Sequence, residues 1–291
     1  MLKVNPFESA VVRISMPTAK VDMEHCIQSF AVQDIVRYID QVHWSSESED
    51  TYRTLDIHGR RPLENVAAHS WHVAEMCFFL SRHFQDIDRA RSVELAMLHD
   101  KLEIWTGDWD PVGPKGDGSG GHIFSHGARD QKLKEEAHAI EVYLDALPED
   151  AARLYGDAFE EMESSVTGSA EAKYVKSIDK LQALLFTLWK KGGVLSLEHL
   201  IFTLRYSFRG LQCFPGLSAH YALLHVQAVR EHGKAHAVET AHLFVKLCES
   251  DIINQTEGLS EWLNDLRLLE SQGAESLNFH VSSPTMAASK L

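Results

Sequence analysis

The residues best suited to chemistry in this 291-residue chain are His69, the adjacent pair His99-Asp100, and Asp179. Each sits on a stretch that otherwise reads as a buried helix face. The His-Asp pair follows Leu95, Ala96, Met97 and Leu98. An ionised carboxylate in a dry core costs several kcal/mol unless it is paired, protonated or bound to a metal. Two imidazoles and two carboxylates drawn from separate helices make a complete set of protein ligands for one divalent ion. The chemistry such a set supports is metal-assisted hydrolysis.

Each residue also has a plainer reading. Asp179 shares a helical stripe with Ala172, Val175, Ala183 and Phe186, so solvent does not compensate it, but a basic residue from another helix would. His69 shares a face with Val66, Val73 and Met76, where a lone histidine is usually a core residue donating to a backbone carbonyl. His72, one turn on, fits a structural or supporting role. The doublet shifts the balance, because core packing gives no reason to set a carboxylate beside an imidazole. Glu103 stands four residues after His99 and three after Asp100, so on a continuous helix it overhangs the same point. Asp108 follows in the turn Thr106-Gly107-Asp108. Taken singly, both would be ordinary solvated carboxylates.

The elements that must position these residues read as helices throughout, an all-α chain. Hydrophobic spacing predicts a leader helix over 30–42, then helices over 63–84 and 86–104. Five glycines and one proline between 113 and 121 exclude regular structure there. Helices resume over 130–144, from Leu147-Pro148-Glu149-Asp150 to about 164, and over 169–190. Shorter pieces follow at 195–207, 217–231, 234–249 and 258–270. Residues 1–29 carry no assignable pattern, 30–192 form the expected core, 193–272 an accessory helical region, and 273–291 a tail expected to be disordered.

The 28 basic and 42 acidic residues give a net charge of −14, with no basic block, which argues against a nucleic-acid polymer as partner. A small anionic substrate remains compatible, because a bound cation reverses the local potential. Cys26, Cys77, Cys213 and Cys248 show no C-x-x-C spacing and read as reduced thiols. Without a secretory leader or a long uncharged apolar run, the chain is expected to be cytoplasmic, with no membrane partner.

Six blocks carry a family resemblance: E-N-V-A-A-H-S (64–70), L-A-M-L-H-D-K-L-E (95–103), T-G-D (106–108), K-L-K-E-E-A (132–137), L-P-E-D (147–150) and S-A-E-A-K-Y-V-K-S-I-D-K (169–180). In this order and spacing the chain resembles the HD-domain phosphohydrolases, most closely the branch of bacterial 5′-deoxynucleotidases and their eukaryotic homologues. The resemblance spans about residues 30–190 and implies an HD-domain helical bundle, extended here by C-terminal helices. It implies His69, His99, Asp100 and Asp179 as ligands of one divalent ion (Mn, Co, Fe, Zn or Mg). Glu103 would be the catalytic carboxylate, with Asp108 positioning water or sugar. The implied activity is phosphate release from nucleoside 5′-monophosphates, by a homodimer. The family places a nucleotide-contacting arginine before the first motif, followed at once or nearly so by tryptophan. Arg53 is the nearest match, though Thr54 and Leu55 follow it and the nearest tryptophan is Trp44. The glycine-rich stretch is longer than the family's usual loop.

Two other readings compete. Some HD proteins hold a second iron with two extra histidines and act as oxygenases, and His122 and His126 would supply them here. Alternatively the fold serves as a non-catalytic nucleotide sensor. The histidines at 220, 225, 232, 236 and 242 lack an H-E-x-x-H pattern and read as surface or packing residues.

Overall fold

The structure, a computed structural model, describes residues 16–37, 64–113, 115–163, 168–189, 197–218, 220, 221 and 224. The described residues form helices without a strand, as expected of an all-α chain. We number them α1 (Met16–Gln28), α2 (Val66–Leu80), α3 (Arg89–Leu98), α4 (Glu103–Thr106), α5 (His126–Asp145), α6 (Glu149–Glu163), α7 (Ala170–Trp189) and α8 (Leu197–Cys213). Expected helices beyond residue 224 lie outside the described residues. No described helix is long and apolar enough to cross a membrane.

Local chemistry sets several boundaries. Pro17 sits in the first turn of α1, where its missing N–H costs nothing. Asn65 caps α2 by accepting from Ala68 N at 2.8 Å, and Asp88 caps α3 by accepting from Ala90 N and Arg91 N. The expected leader helix over 30–42 is overturned in its described part, 30–37. A 3-10 turn ends at Asp34, and Ile35–Arg37 is extended. Its backbone pairs with the start of α2: Arg37 N donates to Glu64 O at 3.1 Å, and Val66 N to Ile35 O at 3.0 Å. This pairing outweighs the helical pattern, since each N–H and C=O finds a fixed partner on another segment. The expected single helix over 86–104 is also corrected, because it stops at Leu98 and resumes at Glu103.

One core unites α2, α3, α7 and α8 through Val73, Cys77, Leu95, Ile178, Leu184, Leu204, Phe208 and others. Truncating the fully buried Leu95 to alanine should cost roughly 2–5 kcal/mol. α8 falls in the region expected to be accessory, yet Leu204, Phe208 and Leu211 enter this same core. Gly210 allows that approach. A Cβ there would collide with the Tyr221 hydroxyl, which donates to Ser177 O of α7 at 2.7 Å. A second, smaller cluster of Leu102, Ala139, Tyr143 and Phe159 supports the α3–α4 turn from α5 and α6.

Candidate metal centre

The break after α3 decides the geometry. Consecutive helical residues diverge by about 100°, so on a continuous helix His99 and Asp100 would face apart. His99 instead caps α3, and Lys101 N turns back to Leu98 O at 3.0 Å. Both side chains thereby face His69 on α2 and Asp179 on α7. His69 Nε2 lies 3.1 Å from Asp179 Oδ1 and 3.4 Å from Asp100 Oδ2. His99 Nε2 lies 3.1 Å from Asp100 Oδ2, 3.8 Å from Asp179 Oδ1 and 3.3 Å from His69 Nε2. The donor atoms of His69, His99 and Asp100 all fall within 4.8 Å of one another, a possible metal site. Asp179 reaches the two imidazoles and is only 16% exposed.

The other ring nitrogens are spoken for. His99 Nδ1 is 2.7 Å from Ala96 O, a carbonyl that can only accept, so the proton sits on Nδ1. His69 Nδ1 donates to Gln182 Oε1 at 2.8 Å. The orientation of that amide is set by its Nε2, which donates to Glu64 Oε1 at 2.8 Å. In the neutral rings both Nε2 lone pairs then point at each other and at two carboxylates. Four electron-rich atoms facing one point require a cation there, either a proton or a metal ion. The donor set therefore fits a divalent ion.

The electrostatics agree. Burial works against charge on His99, but Asp100 and Asp179 overcome it and raise the imidazole to about 10. Burial likewise opposes ionisation of Asp100, yet His99 and Arg37 hold it below the usual carboxylate range. Hydrogen bonds from His69 and His99, with Lys180 nearby, do the same for Asp179 against its own burial. Glu103 runs the other way. Burial, then Asp100 and Asp108, push its carboxyl well above its ordinary value despite Arg37. Its Oε2 is buried and has no hydrogen-bond partner among the described residues.

Asp108 joins the site because Gly107 ends α4 at φ 68°, a conformation that favours glycine, with its N–H bonded to Glu103 O. Asp108 Oδ1 then meets Arg37 Nη1 at 3.3 Å. Arg37 is the residue that sequence reasoning missed. It is 5% exposed, and its Nη1 also lies 3.0 Å from Asp100 Oδ2 and 3.8 Å from Glu103 Oε1. The available signal was an arginine followed at once by an aromatic, Tyr38. Arg53 lies outside the described residues.

His122 and His126 join no other metal-ligand cluster among the described residues. Burial, and then the charges of Lys132, Lys180 and Arg209, lower the His122 ring to about 4.

Comparison with known proteins places the chain. It is 30% identical over 122 residues to the 5′-deoxynucleotidase HDDC2 of Bos taurus, covering 42% of this chain and 52% of that one. To the Homo sapiens counterpart it is 29% identical over 126 residues, covering 43% and 53%. The chain thus spans about half the length of the curated relatives it matches. A solved structure of a predicted metal-dependent phosphohydrolase from Magnetospirillum magnetotacticum aligns with a TM-score of 0.42 at 20% identity, covering 80% of this chain and 97% of that one. Residues 49–204, more than half of the chain, match the HD domain family, and the chain belongs to it.

Proposed function

We propose that this protein is a metal-dependent phosphohydrolase that releases phosphate from nucleoside 5′-monophosphates, with deoxynucleotides preferred. The observation that carries the reading is the pair of imidazoles whose Nδ1 atoms are fixed by Gln182 and Ala96, leaving both Nε2 atoms facing two ionised carboxylates. His69, His99, Asp100 and Asp179 would hold one divalent ion (Mn, Co, Fe, Zn or Mg). When bound, such an ion supplies Lewis-acid polarisation of the phosphoryl group and makes water a stronger nucleophile. The deoxynucleotide preference follows the activity named for the relatives.

The chain's own residues handle the proton. Glu103, kept protonated by burial beside Asp100 and Asp108, presents its unpartnered Oε2 to the leaving 5′-oxygen. As water attacks phosphorus and the P–O5′ bond breaks, that proton passes to the 5′-oxygen, and the water's surplus proton restores the Glu103 carboxyl. General acid–base help of this kind contributes ~10²–10⁴-fold. Asp108, fixed against Arg37, positions the water or sugar, and Arg37 offsets the charges of Asp100 and Asp108 on either side of the protonated Glu103. Arg37 is the arginine at the site among the described residues.

The test is phosphate release from a panel of ribo- and deoxyribonucleoside 5′-monophosphates with added Mn²⁺ or Co²⁺. Metal-dependent release, abolished by chelation, is expected. Stoichiometric metal binding without release from any nucleotide would favour the sensor reading instead.

A further inference from the structure

Beside the acidic cluster, three segments bring positive charge to one imidazole. His122 follows the glycine-rich stretch and donates through Nδ1 to Asp110 O at 3.2 Å. Its cationic neighbours are Lys132 on α5, Lys180 on α7 and Arg209 on α8. Burial and then these cations lower the ring to about 4, so it is neutral in ordinary conditions. Lys132 pairs with Glu136 one turn on and also feels Asp100 and Glu103. Lys180 Nζ lies 3.7 Å from Asp179 Oδ2. The basic cluster therefore adjoins the four candidate ligands.

Arg209 is the surplus charge. It makes no ion pair among the described residues, and its neighbour is the Phe124 ring, 5.9 Å from the guanidinium carbon. α8 holds it there through one face, on which Phe202, Arg205, Tyr206 and Arg209 recur at helical spacing. Phe202 meets Phe124 edge-on at 4.9 Å, and Tyr206 lies 5.5 Å from Lys180 Nζ. Phe202 also fills the space at Gly118, where φ is +80° and any Cβ would collide with the ring. The glycine-rich stretch is thus shaped to receive α8. Arg209 lies past residue 204, where the match to the HD domain ends.

We propose that Lys132, Lys180 and Arg209, gathered around His122, form the anion subsite that receives the substrate's phosphoryl group next to His69, His99, Asp100 and Asp179. The proposal rests on the phosphohydrolase reading and names the side from which phosphate approaches. Arg37 is already committed to Asp100, Glu103 and Asp108. A phosphate here relieves repulsion among three cations, and the guanidinium fork suits two of its oxygens.

Calorimetric titration of the full-length Mn²⁺-loaded protein with inorganic phosphate tests this. Arg209→Ala should bind phosphate about ten- to a hundredfold more weakly while keeping wild-type Mn²⁺ stoichiometry. Arg209→Lys should recover most of the loss, and Lys132→Met should repeat it. Wild-type phosphate affinity in both Arg209→Ala and Lys132→Met overturns the subsite, as does a wild-type protein that binds no phosphate. Phosphate binding that depends on these residues, without release from any nucleoside monophosphate, would keep the subsite and remove the hydrolase reading.

Discussion

His99 and His122 are the same side chain in opposite company. Each donates its Nδ1 proton to a backbone carbonyl, at 2.7 Å and 3.2 Å respectively, so each turns its Nε2 to what lies on the other side of the ring. Around His99 stand Asp100 and Asp179, around His122 stand Lys132, Lys180 and Arg209, and the two rings shift to about 10 and about 4. A tautomer fixed for ligation is thus not enough to make a metal site, because the surrounding charge decides whether a cation or an anion is welcome.

The contrast can be broken most forcefully at the ligands. Asp179→Ala should abolish both bound metal, by elemental analysis, and phosphate release, whereas His122→Ala should keep its metal. Metal loss in the second variant alone would invert the comparison. Next in size, Glu103→Gln should retain metal while kcat falls by ~10²–10⁴-fold. Near-normal turnover would remove Glu103 from proton transfer.

A smaller effect sharpens the role of the surroundings. Gln182→Leu removes the acceptor that orients His69, and metal affinity should weaken by about 10–100-fold. An unchanged Kd would show that packing alone orients the ring.

The smallest effect is the pH dependence of the metal-free protein. His99 is raised in the fold, so its stabilisation is complete below an unfolded value of about 6.5 and fades as pH rises through about 10. His122 is lowered, so stability falls as pH drops from about 6.5 toward about 4, before Asp100 and Asp179 begin to protonate. Thermal melts of chelated protein, wild type against each variant, isolate the two contributions, because Glu103, raised in the fold, adds its own loss of stability above about pH 4.5 to every melt. His99→Ala should flatten the alkaline side, and His122→Ala the region between 4 and 6.5. Melts insensitive to both substitutions would contradict the assigned environments.

Much of this arrangement was legible in residue order, and the exceptions have physical causes. The apolar stripe around Asp179 and the His-Asp doublet after Leu95–Leu98 announced buried charge, and the helix starts expected at 63 and 86 fall within three residues of those that the Asn65 and Asp88 caps set. The interruption between Leu98 and Glu103 was not legible, because Lys101, Leu102 and Ile104 continue a plausible helical pattern. What breaks it is tertiary, with Leu102 anchored among Ala139, Tyr143 and Phe159. Arg37 was hidden for a related reason. Ile35, Val36 and Ile39 sit at helical spacing, and only hydrogen bonds to residues some thirty positions away draw Ile35–Arg37 out straight.

That straight segment carries a strict constraint on chain length. It is held by an isolated bridge, Val36 opposite Asn65, yet it delivers the guanidinium that balances three buried acids. A slip of one position in register would turn Arg37 to the other side and put an uncharged neighbour in its place. A single-residue insertion or deletion between Ser29 and Val36, remote from every candidate ligand in sequence, would therefore take away the guanidinium that those acids share.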